Sequence, residues 1–388
     1  MNEHNLSLDH FDLGAGFTAV SGIFSDDKFL DYLSGIASID YVEKNQVYKT
    51  THIVPRQFSE TVLYPQNSTL SVKKRQMNES AVRRVKPASW GLARIQRHEN
   101  GNLNEYEFDP NGGQGIEVYV LDTGVFAEHV DFNGRAEHSK SYVRSEEDTD
   151  RGGHGTHVAA KIIGEAYGVA KGAVVKSVKI LNKNGDGSTS GLLKGIEHVM
   201  EVATPGKSIV NLSLSGPRSR LLDQALTTLV TEHHIPVFVS AGNAGTDACF
   251  FSPSSNPHVF AVGAVDIHDA VPRFSNVGDC VSIYAPGANI VSAYVGAPDA
   301  AKAMDGTSMA SPHVAGIAAN LMSQREFKSA QEVYDTIRQM ATRGVLQFDT
   351  YKSSSPNRNL LAYFDKVEAA SAAARAAAYE EEDDEDEE

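Results

Sequence analysis

From Gly115 onward, short apolar segments alternate with segments of helical periodicity, and this alternation constrains the fold more than any other feature. The apolar runs span 116–121, 173–180, 209–212 and 236–239, and the helical patterns span 155–163, 190–202 and 219–232. A strand that is apolar along its whole length is buried on both faces, which is typical of parallel sheets covered by helices. The sequence therefore predicts an α/β domain of three layers, with a parallel sheet between helices.

The rest of the chain adds smaller elements around this domain. Residues 259–290 are rich in strand formers, 307–322 and 330–340 have helical patterns, and an Ala-rich helix is predicted from about Val367. The last nine residues are all acidic, and without them the formal charge of −15 would be about −6. This charge predicts no nucleic-acid surface. For the tail, a solvated disordered end and a partner-binding segment both stay open, and like-charge repulsion favours the first.

The amino-terminal part divides into two regions before the main domain. Residues 1–49 contain a partial α+β unit, and 50–87 are polar and basic, which indicates a linker open to proteolysis. We therefore expect a main domain over 88–366 and a helix with an acidic tail over 367–388. The first residues show no secretory signal pattern, and no stretch approaches the roughly 18 apolar residues of a membrane span. We expect no export signal and no membrane segment.

Four separated stretches each carry one component of acyl-transfer chemistry. Asp122 follows a strand at the edge where α/β sites form, and His154 lies between glycines at a helix start. Ser308 precedes an apolar helix, and Asn243 follows Ser240-Ala241-Gly242. Each alone is an ordinary turn or cap residue. Together they predict a nucleophile, a base, a group that orients the base and an oxyanion donor.

Two other kinds of site are disfavoured. His154 and His157 have a spacing that could bind a metal, but no further ligand pattern accompanies them, so no metal is predicted. The surroundings of Ser308 depart from Gly-x-Ser-x-Gly, and the chain order Asp122, His154, Ser308 differs from that of α/β-hydrolases.

Three motifs resemble the signatures of subtilisin-like serine proteases, nearest to the fungal proteinase K and cerevisin branch: Asp122-Thr123-Gly124, His154-Gly155-Thr156-His157 and Gly306-Thr307-Ser308-Met309-Ala310-Ser311-Pro312. The resemblance implies a serine endopeptidase of broad specificity that acts on proteins and peptides. Ser308 would attack the carbonyl, His154 would transfer the proton, Asp122 would hold His154, and Asn243 would bind the oxyanion. A non-proteolytic or self-inhibited regulatory protein of the same fold stays open, because Ala160-Lys161 and Ser215-Gly216 depart from the branch.

The resemblance also implies substrate contacts and partners. Substrate would lie between two backbone edges and against a first specificity pocket, formed by Gly187, Ser188, Thr189, Ser213, Leu214, Ser215, Ser240, Ala241 and Gly242. Residues 17–49 are similar to the carboxyl half of the inhibitory propeptide of this family, with no counterpart of its first strand and helix before Phe17. The expected partners are substrates and the chain's own propeptide, and we expect a monomer.

Further expectations concern cysteines, cations and location. The resemblance favours a disulfide between Cys249 and Cys280 over two free thiols. A calcium site of the family would use the carbonyls of Pro257 and Val259 and a carboxylate at Ser282, so calcium is doubtful and no cofactor is expected to be required. The chain itself indicates no compartment, and the resemblance implies a vacuolar, spore-wall or secreted protein.

Overall fold

The computed structural model describes residues 8–14, 16–23, 27–50, 71–72, 83–85, 89–349 and 358–364. The helix predicted from Val367, the acidic tail, the boundary at position 88 and most of the linker lie outside the described residues. Within the described residues, no helix is long and apolar enough to cross a membrane.

The amino-terminal region contains short strands and one helix, which belong to three separate sheets or flank them. Its elements are β1 (Asp9–Asp12), β2 (Thr18–Ser21), α1 (Asp27–Ser34), β3 (Val47–Thr50), β4 (Ser71–Val72) and β5 (Arg83–Val85). The sequence predicted no strand before Phe17, whereas β1 pairs with β2 as an antiparallel hairpin. β1 is mostly polar, and its burial rests on Phe11 and the following Leu13, so its pattern is too short to identify.

The main domain contains the remaining helices and strands. In chain order they are α2 (Trp90–Arg94), β6 (Tyr106–Phe108), β7 (Glu117–Asp122), β8 (Ala136–Ser141), α3 (His154–Ile163), β9 (Val174–Lys179), β10 (Asp186–Ser188), α4 (Thr189–Val202), β11 (Ser208–Leu212), β12 (Leu214–Pro217), α5 (Arg220–Thr231), β13 (Val237–Ser240), β14 (Phe251–Ser252), β15 (Phe260–Val265), β16 (Ile283–Pro286), β17 (Ile290–Ala293), β18 (Ala301–Met304), α6 (Thr307–Gln324), α7 (Ala330–Met340), β19 (Thr342–Arg343) and β20 (Leu360–Leu361). The predicted helices and strands of this domain begin and end within two residues of the observed ones.

A nine-stranded sheet forms the centre, in the order β19-β20-β16-β15-β13-β11-β7-β9-β8. All neighbouring strands are parallel except β19 and β20, which run antiparallel. This is the predicted α/β fold with a parallel sheet between helices. Because the strands are parallel, the residues that follow β7, β11 and β13 meet at one edge.

Helices α3 and α6 pack against each other and are the most deeply buried helices of the domain. Every residue of α3 is buried, and α6 is buried from Thr307 to Met322. A helix enclosed on all sides is a core helix. Both helices begin at the carboxyl edge of the sheet, so their first turns are held rigidly at that edge.

Lys161 places an amine inside the buried helix α3. Its side chain is fully buried, and its Nζ has no hydrogen-bond partner among the described residues. Burial lowers the pKa of Lys161 to about 7, nearby Asp131 opposes this shift, and Lys171 adds to it. Burial of this amine therefore lowers the stability of the folded state.

Replacing Lys161 with methionine is expected to stabilise the fold by about 1–4 kcal/mol at pH 7. The lysine pKa is lower in the folded state, so wild type loses stability as the pH falls from about 10.5 to about 7. The gain from Lys161→Met should therefore be largest near pH 7 and small near pH 10. Denaturant unfolding at both pH values measures this difference, with Ser308, the predicted nucleophile, replaced by alanine in every protein compared.

A second buried lysine provides the matched control. Lys171 Nζ donates to the carbonyls of Gly164, Glu165 and Gly168, at 3.2, 2.6 and 3.0 Å. Lys171→Met removes these three hydrogen bonds and should destabilise the fold at pH 7. Equal effects of the two substitutions would contradict this interpretation of Lys161.

Candidate active site

Asp122 and His154 form a buried pair at the carboxyl edge of the sheet. Asp122 is the last residue of β7, and His154 is the first residue of α3. His154 Nδ1 lies 2.8 Å from Asp122 Oδ1 and 3.0 Å from Oδ2, and the Thr123 N–H donates to Oδ1 at 2.7 Å. A carboxylate at Nδ1 holds the tautomer that carries its proton on Nδ1, so Nε2 is left to accept a proton.

Asp150, which the sequence analysis missed, organises the turn before His154. Its Oδ1 accepts from Gly152 N, Gly153 N and Thr123 Oγ1, at 2.9, 2.8 and 2.9 Å. Its Oδ2 accepts from the N–H and the hydroxyl of Thr156, at 2.9 and 2.7 Å. Burial raises the pKa of Asp150, and these hydrogen bonds oppose that shift. One carboxylate thus joins the end of β7 to the first turn of α3.

The close approach of these two segments requires glycine at position 155. A Cβ built on Gly155 would lie 2.0 Å from the carbonyl oxygen of Gly124. The Gly155 N–H also donates to Thr123 Oγ1 at 2.9 Å. The glycine of the His-Gly-Thr-His motif therefore lets α3 begin directly against Asp122.

Ser308 is the second residue of α6 and is completely buried. Its hydroxyl donates to the Ser213 carbonyl at 3.0 Å, and Ser213 Oγ donates to the Ser308 carbonyl at 3.1 Å. Ser213 Oγ in turn accepts from Asn211 Nδ2 at 3.0 Å. N–H groups in the first turn of a helix have no acceptor within the helix, and the helix dipole favours negative charge there.

Asn243 lies beside Ser308 in an orientation that Thr307 determines. Asn243 Oδ1 accepts from the Thr307 N–H at 3.0 Å and from Thr307 Oγ1 at 2.9 Å. Because a backbone N–H can only donate, the side-chain oxygen must face Thr307. The NH₂ group of Asn243 therefore faces the opposite way, as a hydrogen-bond donor.

The amino-terminal strand β3 lies between the two predicted substrate edges. It pairs antiparallel with β10, where Gly187 is opposite Tyr48, and with β12, where Ser215 is opposite Lys49. Ser188 and Leu214 also pair with β3, opposite Val47 and Thr50. Ser215 therefore does not prevent an extended segment from pairing with this edge.

Tyr48 of β3 fills a pocket beside β12. It is fully buried, its hydroxyl donates to the Pro217 carbonyl at 3.1 Å, and burial raises its pKa to about 12. A Cβ on Gly216 would lie 2.5 Å from the Tyr48 ring, so the absence of a side chain there makes room for it. The cleft thus accepts an aromatic residue from an extended strand.

The loop predicted to line the first specificity pocket follows β13. Ser240 and Ala241 are fully buried, and Ser240 Oγ donates to the Leu214 carbonyl at 3.1 Å. Asn276, which the sequence analysis also missed, donates to the Ala241 carbonyl at 2.8 Å, and its own N–H donates to the Gly242 carbonyl at 3.0 Å. Asn276 therefore fixes the backbone of this loop.

Three predicted positions concern the disulfide and the calcium site. Cys249 and Cys280 form a disulfide with a Cα–Cα distance of 5.4 Å. Ser282 accepts a hydrogen bond from Arg338 Nη2 at 3.4 Å, and no group of three or more His, Cys, Asp or Glu that could hold a metal occurs within the described part of the chain. A guanidinium cation beside a hydroxyl does not fit a calcium site, which needs carboxylate oxygens.

Comparison with known proteins identifies the family. Residues 113–363 match the model of the subtilase family, Peptidase_S8. The chain is 40% identical to Subtilisin-like protease 2 of Pseudogymnoascus destructans over 71% of this chain and 67% of that protein. It is 37% identical to Subtilisin-like serine protease Pen ch 18 of Penicillium rubens over 85% of this chain and 64% of that protein.

A solved structure agrees with the fold. The crystal structure of a cold adapted subtilisin-like serine proteinase superposes with a TM-score of 0.67 at 35% identity, covering 71% of this chain and 98% of that one. The predicted subtilisin-like fold and serine-protease chemistry are thereby confirmed. The chain belongs to the subtilase family and is a serine-type endopeptidase.

Proposed function

We propose that Ser308 is the nucleophile of this endopeptidase, with His154 as its base, Asp122 as the partner of His154 and Asn243 as an oxyanion donor. The observation that carries this assignment is the buried pair of Asp122 and His154, 2.8 Å apart, at the sheet edge where α6 presents Ser308. The orientation of Asn243 supports it. The Asn243 side-chain oxygen accepts from the Thr307 N–H, so the Asn243 NH₂ group faces away from Thr307 and can donate to an oxyanion.

The proposed reaction has two acyl-transfer steps. His154 Nε2 takes the proton of Ser308 as Oγ attacks the peptide carbonyl, and Asp122 stabilises the imidazolium. Asn243 Nδ2 and the first-turn N–H of α6 bind the oxyanion. His154 then protonates the leaving amine. Water hydrolyses the acyl-enzyme on Ser308 by the same route.

The pairing of β3 supports a broad specificity and a self-inhibited precursor. Backbone pairing with β10 and β12 is independent of side-chain identity, so an extended segment of almost any sequence can form it. Asn45 Oδ1 also accepts from Ser190 N, at 3.1 Å, in the first turn of α4. Glu43 accepts from the Ser219 hydroxyl at the start of α5. The chain's own amino-terminal segment thus acts as an inhibitor that blocks the cleft until it is removed.

A serine-directed fluorophosphonate probe tests both proposals. The full chain should be labelled slowly, and limited proteolysis between residues 51 and 88 should raise the labelling rate at least tenfold, because β3 leaves the cleft. Peptide mapping should locate the label on Ser308, and Ser308→Ala should abolish it. Ser323→Ala, at the other end of α6, is the matched control that keeps the label. Absence of labelling after cleavage would overturn the assignment of Ser308, and equal rates before and after cleavage would overturn self-inhibition.

The compartment and the oligomeric state follow as smaller proposals. A disulfide between Cys249 and Cys280 forms and persists in an oxidising compartment, which favours a vacuolar, spore-wall or secreted enzyme. The enzyme acts as a monomer in this proposal, since no residue of a second chain is needed to complete the proposed catalytic set.

A further inference from the structure

Tyr294 contacts the two residues that precede His154. Its hydroxyl donates to the Gly152 carbonyl at 2.8 Å. A Cβ built on Gly153 would lie 2.4 Å from Tyr294 Cζ, so the tyrosine ring packs directly against the glycine backbone. Gly153 has a φ of +88° and is the cap residue of α3, immediately before His154. Tyr294 therefore covers the backbone turn that leads into His154.

Tyr294 is itself held on the hairpin of β17 and β18. Its N–H donates to the Ala300 carbonyl at 2.7 Å, and Lys302 Nζ lies 4.5 Å from the centre of its ring. A cation over the ring face and a backbone bond at its own N–H restrict where the ring can lie. These two contacts therefore restrain the ring whose hydroxyl donates to the Gly152 carbonyl.

The same hairpin binds α3 at the next turn of the helix. His157 Nε2 lies 3.0 Å from the Ile290 carbonyl and 3.1 Å from the Lys302 carbonyl, and the hydroxyl of Ser292 donates to the His157 carbonyl at 2.8 Å. The hairpin and the start of α3 are thus joined on both sides of His154. Tyr294 is the contact on the amino-terminal side.

We infer that Tyr294 is a positioning residue for His154 and acts through Gly152 and Gly153. Asp150 accepts from the N–H groups of both glycines, and the Gly153 carbonyl accepts from the His157 N–H at 3.1 Å, but no side chain of the glycines themselves restrains the Gly152 carbonyl or the face of Gly153. Tyr294 supplies that limit with a hydrogen bond and a ring. Catalysis is sensitive to this restraint, because misplacing a reacting group by 1 Å can cost about 10² in rate.

Tyr294→Ala and Tyr294→Phe test the inference in the enzyme freed of its amino-terminal segment. Tyr294→Ala should lower kcat by about 10- to 100-fold with KM within about threefold, since His154 and not the substrate is displaced. Tyr294→Phe keeps the ring and should recover most of this loss, with kcat about 2- to 5-fold below wild type. The rate of fluorophosphonate labelling, which also needs His154, should fall in parallel.

Tyr106→Phe is the matched control. Tyr106 is a buried tyrosine, whereas Tyr294 is partly buried, and its hydroxyl likewise donates to a backbone carbonyl, that of Val169 at 3.2 Å, but it lies away from His154. The Tyr106→Phe substitution should leave kcat unchanged. If Tyr294→Ala does not fold, Tyr294→Phe decides the matter: a kcat equal to that of Tyr106→Phe overturns the inference. A rise in KM at unchanged kcat also overturns it, because that result assigns Tyr294 to substrate binding.

A double-mutant cycle with Gly153→Ala separates action through the glycine from a general structural role. The added methyl group meets the Tyr294 ring and strains the backbone at positive φ. Removing the ring relieves the first effect only, so Gly153→Ala should lower kcat less in the Tyr294→Ala background than in wild type. Additive effects on kcat would overturn the proposed route through Gly153.

Discussion

Replacing His154 with alanine is expected to lower kcat/KM for peptide hydrolysis by about 10⁶-fold, because removal of the corresponding base costs subtilisin, a member of this family, about this factor in kcat. The physical reason is that Ser308 is a weak nucleophile unless a base removes its proton during the attack. With Asp122 bonded at Nδ1, His154 offers Nε2 for this step. Residual hydrolysis would come from the proposed oxyanion donors, Asn243 and the first turn of α6, which this change leaves in place.

His198→Ala controls for the loss of a histidine at a distance from the site. His198 lies on α4 and its Nε2 is 2.8 Å from Ser139 Oγ, on β8, so it has no contact with the proposed reacting residues. It should keep kcat/KM within about twofold of wild type. Steady-state kinetics on one chromogenic peptide, with folding checked by circular dichroism, compares the two variants. Activity of His154→Ala within tenfold of wild type would contradict the role of His154 as the base.

The central sheet could be predicted because its strands carry a strong local signal. Strands such as β11 and β13 are buried along their whole length, so their apolar runs stand out against the amphipathic helices. The hairpin of β1 and β2 has no such signal, because its burial depends on contacts with distant helices. Glu197 of α4, for example, accepts from the N–H of Asp12 at 3.0 Å. Short polar strands form where tertiary contacts of this kind support them, so their own sequence does not predict them.

The proposed reacting residues were accessible from sequence because each lies in a glycine-containing motif at a strand or helix end. Asp150, Asn276 and Tyr294 lack that signal. Asp150 and Asn276 act by accepting or donating to backbone groups of other segments, and Tyr294 reaches Gly152 from 142 residues along the chain. Nothing in their immediate sequence distinguishes them from ordinary loop and hairpin residues. The residues that orient a site are therefore harder to predict than those that react.

Asp150→Asn should reduce kcat/KM by about 10²- to 10³-fold and lower the stability of the fold by about 3–5 kcal/mol. The five groups bonded to the carboxylate include three backbone N–H groups, which can only donate. An asparagine amide has one oxygen, so in either orientation its NH₂ group faces N–H donors of Gly152 and Gly153 or of Thr156. The turn before His154 then has to shift.

Asp148→Asn is the control for the lost charge, because Asp148 is an exposed carboxylate of the same loop. It should change neither kcat/KM nor stability by more than the experimental error. Kinetics on the cleaved enzyme, and denaturant unfolding in the Ser308→Ala background, give the two readouts for each variant. A fall in stability with kcat/KM retained would show that Asp150 only supports the fold. A fall in both for Asp150→Asn, with Asp148→Asn unchanged, shows that the geometry of His154 depends on a carboxylate that itself performs no chemistry.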